Sequence, residues 1–234
     1  MILISDIHSR LFWKDVIPFF KLHPEECIVF MGDYVDPYLQ DHVPENEIVE
    51  RAADIFQFAA NNKNNIILLQ GNHDEVYLRN GIGAKCRFCH SQANQLFELY
   101  GEYKDLFKRY HVAFDTLFTH AGVTKNWLTQ YKMIDKMDPP IEYNLKYVTE
   151  WIDSISDDMF FDIGRSRGGY APYGSPTWAD VTEHRFNNLP FKQIFSHTQL
   201  KVDGMVYQPN NKSWMIDSRA IFNYDGTVVN KLNV

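Results

Sequence analysis

Cysteine is scarce in this chain of 234 residues: only three occur, Cys27, Cys86 and Cys89. That number is odd and too small for a disulfide framework. No apolar run approaches the roughly 18 uninterrupted residues that a membrane span requires. A basic, then apolar, then small-residue leader is also missing, so the expectation is a reduced, cytoplasmic protein with no membrane partner. Positive charge is in deficit: 23 Lys and Arg against 30 Asp and Glu give a net charge of −7, which argues against generic nucleic-acid binding. Core-forming material, by contrast, is present in ordinary amounts. Hydrophobic residues make up 45% and charged residues 23%, too apolar for a disordered polymer and enough for one large α/β unit.

Five short apolar runs share one habit, ending abruptly in polar, chemically capable residues. Ile2-Leu3-Ile4 precedes Ser5-Asp6-Ile7-His8, Ile28-Val29-Phe30-Met31 precedes Gly32-Asp33, and Ile66 to Leu69 precedes Gly71-Asn72-His73-Asp74. Leu117-Phe118 precedes Thr119-His120-Ala121-Gly122, and Ile194-Phe195 precedes Ser196-His197-Thr198-Gln199. Runs of this length read as buried strands, and in open α/β sheets ligands gather beyond the strands' carboxyl ends. Five strand ends therefore point at one site.

Between the first three runs the pattern turns helical, the alternation of βαβ units. Pro44 opens the second helix, where Ile48, Ala52, Ile55 and Ala59 keep helical spacing and Glu45, Glu47 and Glu50 place acids near the start. Residues 75–112 read as mainly helical, with Leu96, Leu99, Tyr103, Leu106, Phe107 and Tyr110 spaced for a buried face. They are expected to form a helical cap inserted in a single domain, 1–234. Residues 123–192 are least regular and include Pro139-Pro140 and the Gly-rich stretch 164–169, which predicts helices and a functional loop. The C-terminal part reads as strands at Trp214 to Ile216, Ile221 to Tyr224 and Thr227 to Val229, the last two joined by a turn at Asp225-Gly226.

An Asp-x-His pair alone is weak evidence. Here Asp6-x-His8, Gly32-Asp33-x-x-Asp36, Gly71-Asn72-His73-Asp74, His120 before Ala121-Gly122, and His197 follow in order. Imidazole, carboxylate and amide oxygen suit Mn, Fe or Zn in an open catalytic site, whereas structural zinc more often recruits thiolates. The ordered set resembles the calcineurin-like metallophosphoesterase superfamily, and Gly-Asp-Tyr-Val-Asp at 32–36 looks most like its serine/threonine phosphoprotein phosphatase branch.

That resemblance implies a four-layer α/β/β/α sandwich of two mixed sheets flanked by helices. It also implies two divalent ions, manganese first with iron or zinc as alternatives. Asp6, His8 and Asp33 would hold one ion, and Asp33, Asn72, His120 and His197 the other, with Asp33 as the bridge. Asp6, Asp33 and a bridging hydroxide against two dications leave about one positive charge, so an acidic chain can still attract phosphate. The implied reaction is hydrolysis of a phosphate monoester by that hydroxide, with His73 as general acid oriented by Asp36. The substrate would be a phosphoprotein or a nucleotide; dinucleoside polyphosphate hydrolysis is the alternative activity, and a non-catalytic scaffold of the same fold is a second.

Asn72 is also expected to touch phosphate, together with Arg165 and Arg167 in the Gly-rich loop, because guanidinium geometry matches phosphate oxygens. The family pattern places an arginine directly after Gly-Asp-x-Val-Asp, where this chain has Pro37; Arg10 and Arg219 are candidate substitutes. Gln199, two residues after His197, favours the phosphatase branch over phosphodiesterases that carry histidine there. Trp178 is expected in the site wall. Cys86-Arg87-Phe88-Cys89-His90 matches a haem-attachment pattern, but without a leader it reads better as a pair of reduced thiols.

Overall fold

The computed structural model describes residues 1–82, 86–131 and 143–233; Pro139-Pro140 lies outside them. In chain order the strands are β1 (Ile2–Ile4), β2 (Ile28–Phe30), β3 (Ile66–Leu69), β4 (Phe107–Lys108), β5 (His111–Ala113) and β6 (Thr116–Phe118). There follow β7 (Lys192–Phe195), β8 (Tyr207–Asn210), β9 (Ser213–Met215), β10 (Ile221–Tyr224) and β11 (Val229–Lys231). The helices are α1 (Val16–Leu22), α2 (Ile48–Asn61), α3 (Glu75–Leu78), α4 (Ala93–Tyr103), α5 (Lys125–Gln130), α6 (Leu145–Ser154) and α7 (Asp157–Phe160).

Two mixed sheets form, one six-stranded in the order β11-β10-β1-β2-β3-β4 and one five-stranded in the order β5-β6-β7-β9-β8. Strands β1 to β4 are mutually parallel, as are β6, β7 and β9. The pleat sorts their side chains into layers. Ile2, Ile4, Ile28, Phe30, Ile66 and Leu68 pack with Val16 of α1, Ala52, Ile55 and Phe56 of α2, and Leu96 and Tyr100 of α4. The alternate residues Leu3, Val29 and Leu69 face Phe118, Ile194 and Ile216 between the sheets. Leu117 points the other way, onto Trp127 and Leu128 of α5 and Val148 and Ile152 of α6. Each such side chain contributes about 1.5–3 kcal/mol by leaving water. The expected sandwich of two mixed sheets flanked by helices is the observed architecture.

Three local expectations change. A short 3-10 turn, Glu45–Glu47, separates Pro44 from α2. Phe107 leaves the helical register to begin β4, pairing in parallel with Leu68, which satisfies backbone groups at the sheet edge. The last strand starts at Val229 rather than Thr227, because Asp225 Oδ1 takes hydrogen bonds from Thr227 N at 2.8 Å and Val228 N at 2.9 Å and prolongs the turn. The outcome that matters for chemistry is that the ends of β1, β2, β3, β6 and β7 deliver their loops to one edge of the sandwich.

Candidate metal centre

The turns after these strands are tight, and several donors sit in backbone conformations that L-residues rarely adopt. His8, Asp33, Asp36 and His197 have φ of 45°, 54°, 62° and 74°, a cost sustained where surrounding bonds over-determine the turn. Asp33 O accepts from Ile7 N at 3.1 Å and His8 N at 2.7 Å, and Tyr34 O accepts from Ser9 N at 2.9 Å, so the first two turns are laced together. The third turn must come close: a Cβ on Gly71 would lie 2.2 Å from Asp33 Oδ1. Only glycine permits that approach.

The imidazoles are aimed by carbonyls. His8 Nδ1 lies 3.1 Å from both Val35 O and Asp36 O, and His120 Nδ1 lies 2.7 Å from Met31 O. Each Nδ1 therefore carries the proton and leaves Nε2 as a lone pair. His8 Nε2 is 3.6 Å from Asp33 Oδ2, and His120 Nε2 is 3.5 Å from the same oxygen. Asn72 Oδ1 stands 3.0 Å from His120 Nε2 and 2.9 Å from His197 Nδ1. These lone pairs converge on one volume.

Electrostatics follow the same geometry. Burial lowers the pKa of His8, His120 and His197, keeping those rings neutral. Burial alone would raise Asp33, but His120, His73, His8 and His197 outweigh it and hold Asp33 below the ordinary carboxylate range. Asp6 is driven well up by burial and by Asp217 and Asp33, and Asp217 is pushed up to about 7 by burial and Asp33. His73 behaves oppositely to the other rings. Burial would lower it, yet Asp33, the hydrogen bond to Asp36 and the Cys86 contact raise it well above its usual value. Its Nδ1 is 2.9 Å from Asp36 Oδ2, while Asp36 Oδ1 accepts from Tyr77 Oη at 2.6 Å and Cys89 N at 3.0 Å.

Two donor groups have all their ligand atoms within 4.8 Å of one another: His8, Asp33 and His73, and Asp33, His120 and His197. Asp33 belongs to both. Asp6 falls outside these groups but lies against them, with Oδ2 accepting from His197 N at 3.2 Å and Oδ1 3.8 Å from His120 Nδ1. The fully buried Asp6 Oδ1 and the His197 Nε2 have no hydrogen-bond partner among the described residues. Neutral imidazoles, an amide oxygen and crowded carboxylates are a donor set that divalent cations fit.

The sequence-derived ligands Asp6, His8, Asp33, Asn72, His120 and His197 thus share one site, with His73 and Asp36 beside it. A cavity of about 260 Å³ opens over it, lined by Asn72, His73, Arg87, Arg167, Trp178 and His197 among others. The arginine expectations divide. Arg167 lines the cavity, paired through Nε to Asp180 Oδ2 at 2.8 Å; Arg165 is exposed and is not among the lining residues. Arg10 is tied to Asp41 at 2.8 Å, and Arg219 lines a different cavity, with Phe12 and Asp15. Cys86 and Cys89 are free thiols, and Cys86 Sγ sits 3.6 Å from His73 Nδ1.

Sequence reasoning gave no role to Asp74, Asp217, Tyr77 or Arg87. Asp74 gathers the turns: Oδ2 accepts from Gly71 N at 2.7 Å and Asp33 N at 3.0 Å, and Oδ1 accepts from Tyr100 Oη at 2.7 Å and Tyr34 N at 3.3 Å. Asp217 had a visible signal, since Trp214-Met215-Ile216 gives way to it as the other five runs give way to donors.

Comparison with solved structures finds this architecture again. A mutant cold-active protein tyrosine phosphatase aligns with 99% of this chain and 80% of its own, at TM-score 0.55 and 17% identity. Another structure of a cold-active protein tyrosine phosphatase aligns over 99% and 78%, at TM-score 0.52 and 20% identity. A protein serine/threonine phosphatase from Saccharomyces cerevisiae aligns over 100% and 79%, at TM-score 0.49 and 17% identity. Comparison with curated proteins finds no match. At these identities the two cold-active phosphatases speak to fold alone, while the sequence pattern of calcineurin-like phosphoesterases matches residues 1–221, taking in every strand end that carries a donor. The chain belongs to the calcineurin-like phosphoesterase family.

Proposed function

We propose that this chain is a dinuclear metal-dependent phosphatase acting on phosphate monoesters, with phosphoserine or phosphothreonine in proteins as the substrate class. Asp6, His8 and Asp33 would hold one ion; Asp33, Asn72, His120 and His197 would hold the other. Manganese is the expected metal, and iron or zinc suits the same donors. When bound, the two cations supply electrostatic stabilisation of the transition state and an acidified nucleophilic water.

The observation that carries the reading is geometric: Asp33 belongs to both donor groups, one with His8 and His73 and one with His120 and His197, and His73 Nδ1 lies 2.9 Å from Asp36 Oδ2 beside them. Burial pulls His8, His120 and His197 toward the neutral form a ligand needs, whereas Asp33, Asp36 and Cys86 pull His73, against burial, toward the protonated form an acid needs. His73 Nδ1 is engaged by Asp36, so Nε2–H is the proton offered to the departing alkoxide. Asn72 and Arg167 face the same cavity and bind phosphate oxygens.

The test is hydrolysis of an aryl phosphate by purified protein supplied with manganese, iron or zinc. His73→Asn is expected to keep the metals and lower turnover on a poor leaving group by about 10² or more. Unchanged turnover would remove His73 from that role, and no hydrolysis with any of the three metals would overturn the proposal. Product analysis on phosphopeptides against a nucleotide panel separates the protein-phosphatase reading from nucleotide hydrolysis.

A further inference from the structure

We propose that Arg87, held in place by Tyr38, grips the phosphate oxygens of the substrate in the cavity over the metal donors. This rests on the phosphatase reading. Arg87 belongs to the segment that follows Cys86, and it is exposed. An exposed arginine ordinarily waves in water. This one is fixed at two points: its guanidinium carbon sits 3.9 Å over the Tyr38 ring, and Nη2 donates to Asp36 O at 2.9 Å. Tyr38 in turn packs edge-on against the His8 ring at 4.9 Å, so the stack is registered to the metal site.

Charge bookkeeping singles the residue out. Arg10 pairs with Asp41 at 2.8 Å, Arg51 with Glu47 at 2.6 Å, Arg79 with Glu75 at 2.7 Å, and Arg109 with Asp157 at 2.6 Å. Within the cavity, Arg167 is partly neutralised by Asp180 at 2.8 Å. Among the described residues no carboxylate lies within 4.0 Å of the Arg87 guanidinium, yet Arg87 lines the same cavity as Asn72, His73 and Arg167. It is the guanidinium there whose charge no acid compensates. Of its five N–H donors one serves the Asp36 carbonyl, and a planar fork already immobilised loses little entropy in taking up an oxyanion. The contact is to the backbone carbonyl of Asp36, the residue whose carboxylate engages His73, so Arg87 and the acid border the same cavity.

The alternative is that Arg87 only braces its segment against Tyr38. Inorganic phosphate binding separates the two, measured by calorimetry on manganese-loaded protein together with metal content and melting temperature. Arg87→Met is expected to weaken phosphate binding by about tenfold or more, with metal content and melting temperature unchanged, because charge-assisted bonds to an oxyanion are lost. Arg87→Lys, which keeps the charge but not the fork, falls between, and Tyr38→Leu weakens binding less than Arg87→Met. Arg165→Met leaves it unchanged. Phosphate affinity unaltered in Arg87→Met would overturn the proposal, as would a lowered melting temperature with affinity intact, or wild-type protein that binds no phosphate. Phosphate binding that depends on Arg87 in a protein without hydrolytic activity would uphold this site and strike only at the catalytic reading.

Discussion

The two sheets contribute unequally to the edge they share. Turns after β1, β2 and β3 carry Asp6, His8, Asp33, Asp36, Asn72 and His73, whereas the turns after β6 and β7 bring only His120 and His197. The first rim carries three carboxyl groups, Asp6, Asp33 and Asp36; the second carries two imidazoles and, after β9, Asp217. Their supports differ in the same way. A buried carboxylate, Asp74, gathers the first rim. The second is held by Gln193, bonded to Val123 N at 2.8 Å and Val123 O at 3.0 Å, and by His184, whose Nε2 lies 3.0 Å from Ala121 O. Acidic side chains are concentrated on the first sheet's rim, and the second adds Asp217, after β9, against Asp6. On the proposed reading, a pair of dications held there would keep a residual positive charge for an anionic substrate.

The largest effect should come from the residue that belongs to both donor groups. Asp33→Asn is expected to lose both ions and to lower turnover by on the order of 10³, because a bridging anion between two cations is replaced by a neutral group. His197→Ala touches only one group, so it should retain one ion and lose less activity. Elemental analysis of the two purified variants decides the matter. Equal metal loss would erase the proposed asymmetry between the rims, and full occupancy in Asp33→Asn would remove the bridge.

The asymmetry was partly legible in the sequence. A buried parallel strand reads as an apolar run, and where it ends the first polar residues are forced to the rim, so Asp6, Asp33, Asn72, His120 and His197 could be placed without coordinates. The arginines could not. Arg165 and Arg167 are two apart on one 3-10 turn; at three residues per turn they leave on different faces, and the sequence does not say which face meets the site. Arg87 depends on Tyr38, far away in the chain, to be aimed at all. Asp74 was visible within its motif, but three of the four hydrogen bonds it accepts come from Asp33, Tyr34 and Tyr100, far away in the chain, and only the folded chain brings those donors to it.

Asp74→Asn sharpens the comparison at the level of stability. Burial and Asp33 push the Asp74 carboxyl up to about 7, against the pull of its hydrogen-bond donors. An amide has one oxygen for two donor pairs, so its NH₂ must face either Gly71 N and Asp33 N or Tyr34 N and Tyr100 Oη. Leaving buried donors unsatisfied should cost about 3 kcal/mol. Urea unfolding of the metal-free protein measures this, and a change below about 1 kcal/mol would mean that the first rim does not lean on Asp74.

The second rim should fail in a different way, through acid rather than through a lost acceptor. Burial lowers the pKa of His184 to about 4, opposed by the Ala121 carbonyl and Asp180, and the ring stacks on Phe195 at 4.1 Å. In the unfolded chain the same imidazole titrates near 6.5. Between these values the unfolded state binds a proton that the folded state refuses, so stability falls as pH drops from about 6.5 toward 4. Comparing pH 7.5 with pH 5.5, this one residue accounts for about 1 kcal/mol of the loss. His184→Gln keeps a donor for Ala121 O and does not titrate, so the variant's stability should fall by that much less over the same interval. Parallel loss in the two proteins would show that His184 takes up its proton without unfolding the rim, and that the neutral brace tolerates charge.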